Sequence, residues 1–476
     1  MMTAHINPAP TALAWALCVY MLGCHMALGA DAPGADSSQA PPPNILLITV
    51  DNLGYGDLRC YNAQSEIVTP CLDAFAAQGV RLTQFYTASP TCTVSRACLL
   101  TGRIPQRHGL LDQLSGVSGN YGVGLKQTEI LIPQLLKQSS PPYVSGCFGK
   151  WNIGFAPGSR PTERGFDTFV GHASGNIDYF NHNYHDRHDL FEGTAQGGLH
   201  EVHREGEYST DIFADAACDF IRDQSRGGRP WFCYLPFNSP HFPSRSNKRA
   251  GQENQWQAPT WAFEAIEMEP TERDPAMRYR AVVFALDVAI GRVLKTLDEM
   301  QIAEQTFVFF MSDNGAFRLG REGLDVGSNE PLRAGGVTCW EGGIRVAAMA
   351  RWPEKIKPAS TIDQPLWSPD LFVACAKLAG VDLPADVIYD GRDPLPVLTQ
   401  GATSPHASLY FSYRTHAALR QGDWKIVREK REQPWMLFNL ADDIAETEDL
   451  AGAQPERTGQ LAREFLRWEH QVGVEQ

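Results

Sequence analysis

Ile45-Leu46-Leu47-Ile48-Thr49-Val50 is a short apolar run, rich in β-formers, that stops abruptly at Asp51-Asn52. Such a run, without polar alternation, suits a strand buried on both faces. The pattern recurs. Residues 306–311 (TFVFFM) end at Ser312-Asp313-Asn314-Gly315, residues 231–237 (WFCYLPF) end at Asn238-Ser239-Pro240-His241, and residues 143–148 lead into Gly149-Lys150-Trp151-Asn152. Helical patterns lie between them: Ser209-Thr210-Asp211 reads as an N-cap for a helix over 212–221, and Val282, Leu286, Ile290, Val293 and Leu297 line one face of a long helix. Alternating strands and helices predict an α/β fold with a large mixed, mainly parallel sheet flanked by helices. Ligands of such sheets gather beyond the carboxyl ends of the strands, where four polar clusters would then meet.

The chain is long enough, at 476 residues with 43% hydrophobic and 20% charged content, to bury a large core and to form two domains. Disorder and a small disulfide scaffold are excluded. A net charge of −14 repels nucleic acid and anionic membranes, so an anionic substrate needs a local basic pocket. Of 11 cysteines, Cys18 and Cys24 lie in an N-terminal apolar segment, and the rest form no CxxC zinc ribbon or legible disulfide framework. That segment, 12–22, is followed by small residues at Ala27-Leu28-Gly29 and Ala30-Asp31-Ala32, as a signal-peptidase site requires. It is short for a bilayer span. Residues 1–30 therefore read as a signal peptide, although 1–10 lack the usual Lys or Arg, and Met21-Leu22-Gly23-Cys24 offers a second reading as a lipid anchor on Cys24. No later uncharged apolar run predicts a transmembrane helix in the mature chain, which is expected to be exported, periplasmic or secreted. Residues 31–43 read as a linker.

Asp51, Asn52, Asp313 and Asn314 are hard oxygen donors that suit Ca²⁺, with bonds of roughly 2.3–2.6 Å, better than zinc. Taken singly, Asp313-Asn314-Gly315 also reads as a plain turn and Asp51-Asn52 as a helix cap. Residues 92–102 (CTVSRACLLTG) begin polar, turn helical and close on Gly102, which places Cys92 near a helix N-terminus, where backbone N–H groups and the dipole favour an anion. Arg96 follows one turn later on the same face. On these grounds alone Cys92 is either a thiolate nucleophile or a buried structural thiol.

Together these residues resemble the formylglycine-dependent (type I) sulfatases of the alkaline phosphatase superfamily. Their signature, C-x-P-S-R-x-x-L-L-T-G, is matched at Cys92, Ser95, Arg96 and Leu99-Leu100-Thr101-Gly102. Flanking matches follow in order at 51–57 (DNLGYGD), 149–151 (GKW), 164–167 (RGFD), 238–241 (NSPH), 312–315 (SDNG) and 341–345 (EGGIR), so the resemblance spans nearly all of 44–470. It implies that Cys92 is oxidised to formylglycine by a formylglycine-generating enzyme and hydrates to a diol. It further implies that Asp51, Asn52, Cys92, Asp313 and Asn314 hold Ca²⁺, and that Lys150 and Arg96 neutralise the sulfuryl oxygens. His241 would bind sulfate and protonate the leaving oxygen. The diol's second hydroxyl would then expel sulfate and restore the aldehyde.

Four positions depart from the family pattern. Val94 replaces the signature proline, Asn52 an aspartate of the metal site, Asn152 the histidine expected to take a proton in the elimination, and Gly336 a substrate-binding lysine. Candidates to fill these gaps are His172, His182, His185 and His188, with Arg318, Arg333 and Arg345; for each histidine a core or exposed role competes. Asn152, His182, Arg333 and Arg345 are the substrate-binding candidates. Residues 175–179 (GNIDY) read as a pocket-lining or surface loop, and 244–249 (SRSNKR) as the required basic patch or a solvated loop. The alternating segments at 409–413, 418–420, 424–427 and 435–439, with a turn at 421–423 and a helix over 455–472, predict a small antiparallel subdomain. The expected organisation is a catalytic domain over 44–400 and this subdomain over 401–476. The function expected is hydrolysis of an alcohol or carbohydrate sulfate, including a sulfated polysaccharide. The alternatives are a phosphodiesterase or phosphonate ester hydrolase of the same superfamily, and a non-catalytic sulfoglycan-binding protein.

Overall fold

The computed structural model describes residues 41–114, 122, 124–243, 256–320 and 323–473. The expected signal peptide, the Cys24 anchor, nearly all of the linker and the basic stretch 244–249 lie outside the described residues. Residues 42–476 form one compact unit.

Its centre is a ten-stranded sheet. The Asn44–Val50 strand pairs in parallel with Trp231–Pro236 on one side and Thr306–Ser312 on the other, and Val144–Lys150 and Thr168–His172 extend the parallel array. Ala348–Arg351 runs antiparallel beside Thr306–Ser312, and the hairpin of Phe191–Thr194 and Gly198–Glu201 closes the far edge. Every residue of the Asn44–Val50 strand is buried, because both faces are covered. Leu46, Ile48 and Val50 face a layer that includes the helices Pro70–Gln78, Ser209–Arg226 and Pro275–Glu299. Ile45 and Leu47 face Cys92–Thr101, Ile132–Leu136 and Asp370–Leu378. Each fully buried Leu, Ile or Phe contributes about 1.5–3 kcal/mol, so this double-sided burial anchors the strands whose ends build the site.

The Ser209–Arg226 helix begins earlier than its sequence suggests: Tyr208 is the N-cap, without a side-chain capping bond, and Ser209 is already helical. The expected small antiparallel sheet comprises Ser408–Tyr413, His416–Gln421, Trp424–Arg428 and Met436–Asn439, and packs with the Pro455–Gln471 helix. Their shared core takes in Val94, Cys98, Trp340 and Ile344 from around the Cys92 helix. Among the described residues all nine cysteines are free, and no helix is long and apolar enough to cross a membrane.

Candidate active site

Three parallel strands carry Asp51, Lys150 and Asp313 to one end of the sheet. The chain is fixed just past the first and third by bonds from Asp51 N–H to the Ser239 carbonyl (2.9 Å) and from Asp313 N–H to the Val50 carbonyl (2.9 Å). Asn52 (φ 63°) and Asn152 (φ 54°) then turn through the left-handed region, which asparagine tolerates better than most side chains. These turns bring side chains, rather than continuing strand, to the end of the sheet.

Cys92 opens the Cys92–Thr101 helix, whose ten residues are all buried, and Gly102 ends it at φ 69° with its N–H bonded to the Cys98 carbonyl. Ligating atoms of Asp51, Cys92 and Asp313 lie within 4.8 Å of one another. Lys150 Nζ donates to Asp51 Oδ2 at 2.6 Å. Arg96 donates from Nε and Nη2 to Asp313 Oδ2 at 3.0 and 2.8 Å, and from Nη1 to the Lys150 carbonyl at 3.0 Å. Cys92 Sγ receives Gln113 Nε2 at 2.9 Å and Asn152 Nδ2 at 3.8 Å.

Burial opposes charge throughout this cluster, and the pairing decides where the charge stays. Desolvation works against the Lys150 ammonium, but Asp51 and Cys92 outweigh it and raise its pKa. Arg96 is held cationic in the same way, chiefly by Asp313. Burial, then the Asp51 charge, raises Asp313, while Arg96 and Lys150 pull it back. The Cys92 thiol is raised by burial despite Lys150, so the unmodified cysteine is a poor thiolate here.

The donor set fits a hard cation. Asp51 Oδ1 and Asn314 Oδ1 are buried without a hydrogen-bond partner, a costly state that an oxygen-seeking divalent ion would relieve. Asn52 is tied in by its N–H to Asp313 Oδ1 (3.2 Å), and its Oδ1 accepts Asn314 Nδ2 (2.5 Å) while keeping a second lone pair.

His241 borders a small hollow of about 10 Å³ with Asn52, Phe242, Trp256 and Phe317. Its Nδ1 donates to the Phe242 carbonyl (2.6 Å), which leaves Nε2 bare in the neutral ring; burial, then Lys150, lowers its pKa to about 3. The 175–179 loop supports it, with Tyr179 Oη donating to the His241 carbonyl (2.5 Å) and Asn176 Nδ2 to the Phe242 carbonyl (2.8 Å).

The remaining candidates divide. His172 pairs in register with Lys150, and both its ring nitrogens are buried and unpartnered. His182 is held by the Glu207 carbonyl (3.0 Å), and His188 by the Val202 carbonyl (2.6 Å) with its ring stacked on His203. The three arginines do not join the cluster. Arg345 is buried, with its donors on the Thr83 carbonyl (2.7 Å) and Glu341 (3.3 Å); exposed Arg333 lies over the Trp340 ring and donates to the Glu446 carbonyl; Arg318 donates to the Asp325 carbonyl. All three hold partners away from the Cys92 cluster, so Arg333 and Arg345, the expected substrate-binding arginines, stand apart from it in this structure. Sequence reasoning missed Gln113, which sits in no motif, and Asn238, whose buried amide has no partner on either atom. The latter lies at a strand end already singled out.

A family model described as Sulfatase matches residues 43–381. The chain is 32% identical to N-acetylgalactosamine-6-sulfatase of Canis lupus familiaris, over 90% of this chain and 80% of that protein. It is 33% identical to arylsulfatase A of Homo sapiens, over 83% and 76%. Among solved structures it is similar to Ps i-CgsB, with a TM-score of 0.78 and 30% identity over 90% of this chain and 92% of that one. The complex of Ps i-CgsB with k-i-k-neocarrahexaose gives a TM-score of 0.76 and 28% identity over the same shares. The protein is thus an α/β hydrolytic enzyme of the alkaline phosphatase superfamily. Within it, the chain belongs to the sulfatase family and is a sulfuric ester hydrolase.

Proposed function

We propose that this sulfatase removes sulfate from a carbohydrate ester, with Cys92 matured to formylglycine and Ca²⁺ held by Asp51, Asn52, Asp313 and Asn314. The observation that carries the reading is the convergence of Cys92, Asp51 and Asp313 within 4.8 Å, flanked by two buried cations. Cys92 Sγ stands where the formylglycine oxygens would be. When bound, the ion would supply Lewis-acid polarisation of the nucleophilic hydroxyl and of a sulfuryl oxygen. Lys150 and Arg96 hold fixed positive charge for the sulfuryl oxygens in a dry site, where it acts most strongly. Asn152 and Gln113, as neutral amides, orient the nucleophile by hydrogen bonding. His241 must acquire a proton before it can give one to the leaving oxygen, and an arriving anionic ester opposes the burial that keeps the ring neutral.

Cys92 is 2% exposed, so the formylglycine-generating enzyme would act before this helix packs. A sulfated glycan is favoured by the similarity to N-acetylgalactosamine-6-sulfatase and to the neocarrahexaose complex. Export, suggested by residues 12–32, accords with a polymeric substrate met outside the cytoplasm.

The test joins mass spectrometry of the Cys92 peptide to a sulfate-release screen over galactosamine 6-sulfate, carrageenan oligosaccharides, 4-nitrophenyl sulfate and the matching phosphate esters. The expected outcome is an aldehyde at residue 92, release from at least one sugar sulfate, and loss of about three orders of magnitude or more in Cys92→Ala. Faster turnover of phosphate than of sulfate esters would overturn the reading.

A further inference from the structure

Gly336 occupies the position where the family resemblance implies a substrate-binding lysine, and the structure leaves no room for one. A Cβ on Gly336 would meet Phe317 Cδ1 at 2.7 Å and the Gly315 carbonyl oxygen at 2.8 Å. The two segments are locked together, since Phe317 and Gly336 form a parallel bridge and Gly336 N–H donates to the Ala316 carbonyl at 3.0 Å. Phe317 takes the space in place of a cation. Its half-buried ring stands edge-on to His241, with centroids 5.7 Å apart, and to half-buried Phe242 at 6.3 Å. Trp256 backs Phe242 edge-on at 5.9 Å. Arg318, the neighbouring cation, is turned to the Asp325 carbonyl.

The site is therefore asymmetric. Charge surrounds Cys92, whereas the half-buried rings of Phe317 and Phe242 flank His241 on its other side. The cations would grip the sulfuryl group common to every sulfate ester, so discrimination falls to whatever touches the alcohol. Aromatic faces attract other rings, including the C–H faces of sugars, through dispersion and the ring quadrupole, and they offer an open chain far less contact.

We propose that Phe317, supported by Phe242, is the platform that receives the alcohol portion of the ester, and that it makes the enzyme selective for ring-bearing alcohols, pyranosyl or aryl, over open-chain ones. This assignment rests on the sulfate ester reading above. Gly336 is its structural condition, because any side chain there displaces the ring.

The test compares the matured enzyme with Phe317→Ala and Phe317→Trp on galactose 6-sulfate, 4-nitrophenyl sulfate and ethyl sulfate. Phe317→Ala should raise KM about tenfold for both ring esters, equivalent to about 1.4 kcal/mol, and about twofold or less for ethyl sulfate, with kcat nearly unchanged. Phe317→Trp should restore the ring preference. Calorimetric binding of the same three esters to Cys92→Ala protein, with and without Phe317→Ala, reads the platform without turnover. Equal shifts for all three esters, or no shift, would overturn the proposal. Ring-selective binding that depends on Phe317, in a wild-type protein that releases no sulfate, would leave the platform standing and sink the hydrolytic reading alone.

Discussion

Arg96 is fixed by bonds from its guanidinium to the Asp313 carboxylate and to the Lys150 carbonyl. Replacing it with Met should leave Asp313 buried without that partner and cost about 3–5 kcal/mol, read as a lower denaturation midpoint. Arg96→Lys keeps the charge but loses the planar fork, and should recover only part of that loss. The helical spacing of Cys92 and Arg96 was legible in the sequence, because one turn of helix fixes it. The committed state of Arg345 was less so: its i,i+4 relation to Glu341 is visible, but its bond to the Thr83 carbonyl joins residues 262 apart, which only the fold brings together.

Among the elements, the four central strands of the large sheet read cleanly because continuous apolar runs ending in polar residues admit few other placements, whereas its other six strands, Thr168–His172 and Ala348–Arg351 among them, were not foreseen. Gly102 marked the end of the Cys92–Thr101 helix for a similarly local reason. The start of Ser209–Arg226 did not read so cleanly, since Ser209-Thr210-Asp211 is a good cap by composition but the helix already begins at Ser209, three residues before the expected 212. The short helix Pro105–His108 that follows Cys92–Thr101 carries a pH dependence of its own. His108 is buried, accepts the Leu110 N–H at Nδ1 (3.2 Å) and places Nε2 3.4 Å from Cys98 Sγ, so both nitrogens are engaged in the neutral ring. Burial, then Arg103 and Lys126, lowers its pKa from 6.5 to about 3. The unfolded chain therefore binds the extra proton between those values, and stability is lost as pH falls below about 6.5, by about 1.4 kcal/mol per pH unit for this group. His108→Gln should flatten the decline in melting temperature between pH 7.5 and 5, relative to wild type.

At the scale of the whole molecule, the small sheet is fastened to the short helix Glu341–Ile344 by a buried ionic knot. Lys425, from the small sheet, donates to Glu341 at 2.9 Å and pairs with Glu446 at 2.8 Å, all fully buried, and Arg420 reaches Tyr86 nearby. Sequence could suggest both sheets but not this fastening, because its members are scattered over more than 100 residues and share no local pattern. The reactive centre is balanced in the same manner. Two carboxylates, Asp51 and Asp313, face two permanent cations, Lys150 and Arg96, so the scaffold is electrically self-contained. Chelation with EGTA should accordingly silence turnover while moving the melting temperature by only a few degrees, and added Ca²⁺ should restore activity without a refolding step. Such a protein could travel through a calcium-poor compartment intact and inert, and awaken on arrival where the ion is plentiful.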